Sequence, residues 1–280
     1  MTTVLALGLP ELPDPLGKNV LLAAALPTSL DAPSVGPLLD VLADSGEDEP
    51  LLVVHRAAQQ GQAARVVHLI RSSLELQAVA RISSQLSPLG CATVARICAE
   101  LTGTFQLAGG SVVAAAGWLE QQLLVAAWLP TVAKLDQVEL SLGHHLQSFV
   151  PGSQFVVCLS PERRVDRLGA QALELPRPEL LGERPHILLS GDGSLAWMDA
   201  TVLPAFPRAT VVRQPGDAAS AQFWGTPKAV EVVGRPDDLE PVAEAVRTRW
   251  PASPCRWCGL PSPTGTCGWC AMTPAAAEFG

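Results

Sequence analysis

Four of the seven cysteines form two tight pairs near the end of the chain, in a CxxC-x8-CxxC pattern. These cysteines are Cys255, Cys258, Cys267 and Cys270. Two residues between paired cysteines let one turn aim both sulfurs at the same point, and the turn amides can donate to the thiolates. Four thiolates complete a tetrahedral zinc shell with no open position, which is a structural site rather than a catalytic one.

The segment around these cysteines resembles the small zinc ribbons found at protein ends, and the resemblance covers about residues 254–271. It implies that all four cysteines are metal ligands, and it implies no specific activity. Zinc is the favoured cofactor. A redox dithiol normally needs a single CxxC pair beside a βαβ pattern, and an iron–sulfur cluster is the minor alternative for the same ligand set.

Two tryptophans occupy matching places in the two CxxC turns, and three arginines lie close by in sequence. Trp257 and Trp269 either pack to give the small ribbon a core or form an exposed pair that docks a partner. Together with Arg247, Arg249 and Arg256, they could also bind single-stranded nucleic acid through charge and stacking. Three arginines make a modest patch, which favours packing or a protein contact over nucleic acid.

The overall composition describes an apolar, weakly charged chain. Of its 280 residues, 48% are hydrophobic and 16% are charged, and the net charge is −8. The acidic isoelectric point of about 5.1 disfavours binding to nucleic acid through phosphates. The uncharged stretch 101–119 contains too many glycine and polar residues for a spanning helix, so no membrane span is expected. The paired and unpaired cysteines indicate a reducing, cytoplasmic environment.

Apolar runs and capping residues predict a mixed α/β (α+β) globular body. Ser87 followed by Pro88 predicts the start of a helix that continues to about Leu101. A helical spacing of apolar residues covers Ala57–Ser72, and Asp237 with Glu240 has the capping-box spacing for a last helix over 237–250. A buried strand is predicted at Val20–Leu26, and further strands are predicted at Leu51–His55, Gln154–Leu159, Thr210–Arg213 and Ala229–Val233.

Two glycine-containing turns predict β-hairpins. The pair Gly109–Gly110 lies between Thr104–Ala108 and Ser111–Leu119, and the Gly191–Asp192–Gly193 turn lies between His186–Ser190 and Leu195–Met198. Both patterns place two extended runs on either side of residues that readily adopt positive φ angles. We therefore expect two antiparallel strand pairs at these points.

The domain prediction divides the chain into a body over residues 1–250 and a zinc ribbon with a short tail over 251–280. The body is either one unit or two subdomains that divide near residues 105–150. No P-loop, GxGxxG, GxSxG or HExxH motif occurs, so no catalytic residues are assigned; this favours a non-enzyme and leaves an enzyme as an open alternative.

The function predicted from these features is that of a non-catalytic, zinc-ribbon-bearing interaction or scaffold protein of a macromolecular assembly, with another protein as its partner. The first alternative is a nucleic-acid accessory factor that binds through the ribbon. The second is an enzyme whose site lies unrecognised in the body.

Overall fold

The computed structural model describes residues 2–12, 20–23, 36, 39–40, 42, 49–135, 138, 148, 150, 152–169 and 174–273. The chain forms two compact units. Unit 1 comprises Met1–Gln85, Val94–Gly117 and Leu239–Gly280, and unit 2 comprises Leu86–Thr93 and Trp118–Asp238. The sequence-based division at residue 250 stays a prediction.

Unit 1 is built on a four-stranded parallel sheet with the order β2-β1-β3-β4. Its strands are β1 (Thr3–Leu7), β2 (Val20–Ala23), β3 (Leu51–Arg56) and β4 (Val79–Ser84). The described side chains of β1 are all buried, as are nearly all of β3. Near-continuous apolar runs of this kind are typical of parallel strands covered on both faces.

Helix α1 (Gln60–Ser73) covers one face of this sheet. Its buried side chains recur at helical spacing and pack into one core with residues of β1 and β3. The α1 members of this core are Ala63, Val66, Val67 and Ile70. The sequence-predicted helix over Ala57–Ser72 is thereby confirmed, apart from a first 3-10 turn at Ala57–Gln59.

Helix α2 (Pro88–Gly103) begins where the sequence predicted. The Ser87 hydroxyl accepts a hydrogen bond from the Gly90 amide over 3.2 Å, which is the geometry of a serine N-cap with proline in the first turn.

Helix α3 (Gly109–Gln121) occupies the region where the glycine pair predicted a hairpin, so that prediction is wrong. Gly109 and Gly110 form the first turn of the helix rather than a β-turn. Both glycines meet atoms of the C-terminal ribbon at distances that leave no room for a Cβ atom. Glycine is needed here for close packing. In the sequence, a glycine pair needed for packing cannot be distinguished from one that forms a turn.

Unit 2 is built on a six-stranded mixed sheet with the order β7-β6-β5-β10-β8-β9. The pairings are antiparallel except for the parallel pair β8–β9. Its strands are β5 (Leu124–Leu129), β6 (Phe155–Ser160), β7 (Arg164–Arg167), β8 (His186–Ser190), β9 (Thr210–Gln214) and β10 (Val230–Arg235).

The second predicted hairpin, after His186–Ser190, is also wrong. The residues beyond the Gly191–Asp192–Gly193 turn form a helical segment with a π-helical turn at Met198–Val202, followed by the short helix α4 (Leu203–Ala205). The neighbours of β8 are instead β10 and β9. A Cβ atom on Gly191 would lie 2.1 Å from the Ala229 carbonyl oxygen, and its φ is 136°, so both close packing and the backbone conformation account for glycine.

Two further helices are α5 (Ala218–Phe223) in unit 2 and α6 (Glu240–Arg249) in unit 1. Helix α6 begins three residues after Asp237, and its N-cap is Leu239 without a side-chain cap, so the predicted capping box does not form. The mixed α/β fold class predicted from sequence is confirmed. Within the described ranges, no helix is both long enough and apolar enough to cross a membrane.

Candidate metal centre and buried carboxyl site

The C-terminal segment of unit 1 folds as two similar turns, each carrying one cysteine pair. Strands β11 (Ser253–Pro254) and β12 (Pro261–Ser262) pair antiparallel on either side of the first turn. The first turn is closed by the Gly259 amide donating to the Cys255 carbonyl over 2.8 Å. The second is closed by the Ala271 amide donating to the Cys267 carbonyl over 2.9 Å.

The two turns share a left-handed residue directly after the second cysteine. Gly259 has a φ of 74° and Ala271 has a φ of 58°. Alanine is strained in this region by about 1–2 kcal/mol. Ala271 nevertheless adopts the same left-handed backbone conformation as Gly259.

The four cysteine sulfurs converge on one point. All four lie within 4.8 Å of one another. The Cys255 and Cys270 sulfurs are 3.9 Å apart, and those of Cys258 and Cys267 are 3.8 Å apart. A tetrahedral zinc with Zn–S bonds of ~2.3 Å sets its sulfurs about 3.8 Å apart. The cluster can hold a metal ion, and its dimensions and donor set fit zinc.

The two tryptophans of the ribbon differ in their surroundings. Trp269 is 4% exposed, and its indole Nε1 donates to the Pro261 carbonyl over 3.0 Å. Trp257 is 58% exposed, and its backbone amide lies 3.5 Å from the Cys255 sulfur as a donor. The matching sequence positions thus have different roles in the fold, one inside unit 1 and one at its surface.

The three arginines predicted to flank the ribbon are all exposed. Arg247 pairs with Glu240 and Glu244 on its own helix, with nitrogen–oxygen distances of 3.2 Å in each case. Arg256 and Arg249 lie on either side of the exposed strand β11 in sequence. The partner-binding role assigned to these arginines and to Trp257 and Trp269 stays a prediction.

A fully buried carboxyl lies in unit 2, on the central strand β10. Glu231 is 1% exposed, and it is flanked by the apolar residues Val230 and Val232. The Trp224 indole donates to its Oε2 atom over 3.0 Å, and the Ser87 hydroxyl donates to its Oε1 atom. Both groups that hold the carboxyl are themselves buried.

Burial raises the pKa of Glu231 to about 7, because a charged carboxylate loses its hydration inside the protein. The hydrogen bonds from Ser87 and Trp224 oppose this shift, since they stabilise the ionised form, and the charge of Asp217 adds to it. The side chain therefore changes protonation near neutral pH, where an ordinary glutamate is fully ionised.

Glu231 also forms one wall of a pocket of about 200 Å³. The pocket is bounded by the carboxyl end of β8, the loop before α5 and the start of β10. Asp217 on that loop caps α5 and accepts bonds from the Ser220 amide and hydroxyl, both over 2.8 Å. Other residues around the pocket are Ser190, Asp192, Trp224, Thr226 and Ala229.

Sequence reasoning did not identify the Glu231 site. The available signal was a single acidic residue inside the strand predicted over Ala229–Val233. A lone charge in a buried strand has to find partners, and here they come from Ser87 and Trp224. No sequence spacing links these three positions.

Comparison with known proteins identifies the fold. No family model matches the chain, and no curated protein matches it. Solved structures of the DegV family do match over their full length. A DegV family protein from Eubacterium eligens, loaded with heptadecanoic acid, matches with a TM-score of 0.55 and 13% identity, over 85% of this chain and 100% of that one.

Two further structures have the same fold. A fatty-acid-binding DegV family protein from Thermus thermophilus matches with a TM-score of 0.57 and 14% identity, over 84% of this chain and 99% of that one. The fatty acid kinase (Fak) B3 protein of Streptococcus pneumoniae, loaded with linoleic acid, matches with a TM-score of 0.54 and 14% identity, over 85% of this chain and 100% of that one.

These matches correct the function predicted from sequence. The interpretation of the chain as a zinc-ribbon interaction or scaffold protein is wrong, because the body has the fold of proteins that hold fatty acids. The nucleic-acid and unrecognised-enzyme alternatives in that interpretation are set aside with it. The error arose because the ribbon carried the only recognisable motif, and function was inferred from one short segment instead of from the body.

Proposed function

We propose that this protein binds a long-chain fatty acid without covalent change. The observation that carries the proposal is the shared fold: three DegV-family structures that contain or are described as binding fatty acids align with this chain along almost their whole length. A fold alone does not determine a ligand. The proposal therefore also needs a place in this chain for the acid group.

The pocket beside Glu231 is the place we propose for that group. Its volume of about 200 Å³ is smaller than the ~300–1,000 Å³ of most ligand pockets, so it suits the polar end of a long molecule and not the whole. Two carboxyl groups bind each other well only when they share a proton. Because the pKa of Glu231 is raised to about 7, its carboxyl carries a proton near neutral pH and can share it with the ligand.

The acidic neighbours of the pocket make this binding proton-dependent. Asp192 and Asp217 both border it. An ionised ligand next to an ionised Glu231 would be repelled by three carboxylates. We therefore expect fatty acid affinity to fall as the pH rises through about 7, the pKa of Glu231.

The first test is the lipid content of the full-length protein. After purification, organic extraction and mass spectrometry should recover about one fatty acid per chain. Delipidated protein should bind oleic acid in displacement of a fluorescent fatty acid, and bind hexadecane poorly. Absence of both co-purified acid and measurable binding would overturn the proposal.

The second test locates the acid group. Glu231→Gln keeps a neutral hydrogen-bonding side chain, so its affinity for oleic acid should stay level between pH 6 and pH 8 while the wild-type affinity falls. Glu179→Gln is the matched control, because Glu179 is exposed and lies outside the pocket. Equal pH dependence in wild type and Glu231→Gln would leave fatty acid binding intact but remove Glu231 from the site.

We further propose that the tetracysteine cluster binds one structural zinc ion. Support comes from four soft thiolate donors and from sulfur separations of 3.8 Å and 3.9 Å. Among the described residues, the ligand group consists of these four cysteines alone, which is the number that a closed tetrahedral site needs. When bound, zinc would link the turn that carries Cys255 and Cys258 to the turn that carries Cys267 and Cys270. Stoichiometric zinc by elemental analysis is the test, and iron or no metal in protein purified without chelators would contradict it.

Two broader expectations complete the proposal. Zinc thiolates and the three other unpaired cysteines, Cys91, Cys98 and Cys158, fit a reducing compartment, which supports a cytoplasmic location. A protein that binds a poorly soluble acid also needs a second protein or a lipid surface with which to exchange it. We therefore retain another protein as the expected partner, in the role of donor or acceptor of the ligand.

A further inference from the structure

The ribbon packs against the rest of unit 1 through Trp269, which lies inside the second metal-binding turn, between Cys267 and Cys270. A Cβ atom on Gly109 would lie 2.7 Å from Cζ2 and 2.8 Å from Cη2 of Trp269. The indole ring therefore lies directly on the backbone of the first turn of α3. Only glycine at position 109 permits this approach, since real Cβ contacts do not fall below 3.0 Å.

Two further close approaches lie beside this one. A Cβ atom on Gly110 would lie 2.4 Å from the Pro261 carbonyl oxygen, next to the strand pair of the ribbon. Gly268, between the second pair of cysteines, faces Val113 one turn further along α3, where a Cβ atom would lie 2.9 Å from Cγ1. At three positions of the contact between the ribbon and α3, a glycine backbone therefore lies against atoms of the other segment with no room for a side chain.

Polar contacts link the ribbon to a second part of unit 1. The Arg71 guanidinium, at the end of α1, donates to the Val79 carbonyl over 2.7 Å and to the Trp269 carbonyl over 3.1 Å. It thereby bridges strand β4 and the second cysteine turn. The Ser111 hydroxyl of α3 adds a bond to the Trp250 carbonyl over 2.7 Å, just before the ribbon begins.

Arg71 also lies in a groove of about 490 Å³ that is bordered by Cys258 and Cys270. Through its bond to the Trp269 carbonyl, Arg71 holds the backbone of the turn that carries Cys267 and Cys270. Groups that hold the backbone around metal ligands in this way help to orient them.

We propose that metal in the tetracysteine cluster acts as a clasp that holds the ribbon onto α1, β4 and the first turn of α3. Over residues 251–273, which the structure describes, the ribbon has only two two-residue strands of its own, so without metal little holds its turns together. Metal binding orders both turns and thereby fixes the Trp269 ring against Gly109 and the Trp269 carbonyl at hydrogen-bond distance from Arg71. The metal-binding free energy then becomes folding free energy of unit 1, not of the ribbon alone.

This inference rests on the zinc site proposed above and goes beyond it, because a ribbon could bind zinc as an independent appendage. The clasp predicts an effect at a distance. Removal of zinc should loosen the first turn of α3 and the end of α1, which contain no metal ligand. Strands β5 and β10 of unit 2 serve as the internal reference.

The experiment combines elemental analysis, thermal unfolding and hydrogen exchange on the full-length protein. With zinc removed by a strong chelator, we expect the Tm to fall by roughly 5 °C or more. Amides near residues 71–79 and 109–113 should exchange roughly tenfold faster or more, while those of β5 and β10 remain unchanged. Restoring zinc should reverse both effects.

The variant Gly109→Ala tests the packing of the ribbon separately from metal binding. Its added Cβ atom occupies the space of the Trp269 ring, and the substitution changes no cysteine. This variant should still bind one zinc, and its Tm should be lower and respond less to the chelator. Gly117→Ala is the matched control on the same helix, since a Cβ atom there meets nothing within 4 Å. It should bind zinc and respond to the chelator like the wild type.

The outcomes are distinguishable. Stoichiometric zinc with unchanged exchange in α1 and α3 after its removal would overturn the clasp and leave the zinc site standing. A full chelator response in Gly109→Ala would likewise overturn it. Protein that binds no zinc would overturn the clasp and the zinc proposal together, without bearing on fatty acid binding.

Discussion

The Ser87 hydroxyl donates a hydrogen bond to the Glu231 carboxyl, which lies 144 residues later in the chain. The same oxygen of Ser87 accepts the Gly90 amide, so one side chain both caps α2 and holds a buried acid on β10. Neither Ser87 nor Glu231 is exposed to solvent. The ionisation of Glu231 is therefore linked to the position of the first turn of α2 within unit 2, and through that turn to the stability of the unit.

Stability should fall with rising pH because of Glu231. Its pKa in the folded protein, about 7, exceeds the ordinary value of 4.5. The folded state thus binds the proton more tightly than the unfolded chain. Its contribution is fully present below pH 4.5 and is lost as the pH rises through about 7, a change of about 3 kcal/mol.

Glu231→Gln tests this pH dependence. Glutamine has no proton to lose, so the free energy of unfolding of the variant should lack the decline between pH 4.5 and pH 7. Urea unfolding at a series of pH values, with Glu179→Gln as control, measures the difference. Parallel curves for the wild type and Glu231→Gln would show that burial of this carboxyl does not govern the pH response.

Replacing Trp224 should move the same transition to higher pH. The indole bond to Glu231 stabilises the ionised carboxylate and lowers its pKa, so Trp224→Phe should raise the pKa of Glu231 above about 7. The midpoint of the pH-dependent loss of stability should shift upward accordingly. Trp128→Phe is the control, because that indole bonds Gln154 over 3.2 Å instead. A midpoint that moves equally in both variants would point to general loosening of unit 2.

The two ribbon tryptophans should differ sharply in their effect on stability. Trp269→Ala removes a buried ring and leaves a cavity, so it should cost about 3–5 kcal/mol. Trp257→Ala removes a ring that is 58% exposed and should change stability by less than about 0.5 kcal/mol. Urea unfolding in zinc-containing buffer measures both. Similar costs for the two variants would contradict the packing of Trp269 within unit 1.

Loss of one cysteine should abolish the response to chelators. Cys258→Ser leaves three thiolates, and a structural tetrahedral site normally needs four ligands. The variant should contain well below one zinc per chain, and a chelator should shift its Tm no further. Wild-type protein measured alongside should lose zinc and stability together. A variant that retains stoichiometric zinc and its chelator response would exclude Cys258 as a ligand.

Local patterns predicted several elements correctly. Ser87 followed by Pro88 carries its own capping chemistry, so the start of α2 could be placed without knowledge of its neighbours. The apolar run Leu51–His55 predicted a strand, because a strand covered on both faces of a sheet requires such a run. The tetracysteine cluster was predictable for the same reason: a CxxC turn positions two sulfurs within four residues.

Glycine signals were misread because glycine serves two purposes. At Gly109 and Gly110 the sequence favours a turn, whereas the structure uses the missing side chains to admit Trp269 and the Pro261 carbonyl. At Gly191 the missing side chain admits the Ala229 carbonyl. A sequence window contains the glycine but not the distant group that approaches it.

The sequence by itself determined the α/β composition, the start of α2 and the four sulfurs that meet in the ribbon, because each depends on residues a few positions apart. Only the tertiary structure decided that Glu231 meets Ser87 and that Trp269 rests on Gly109. Those contacts join segments far apart in the chain, and their energies arise from burial and from excluded space around the partners. Neither quantity exists until the sheets and helices have packed.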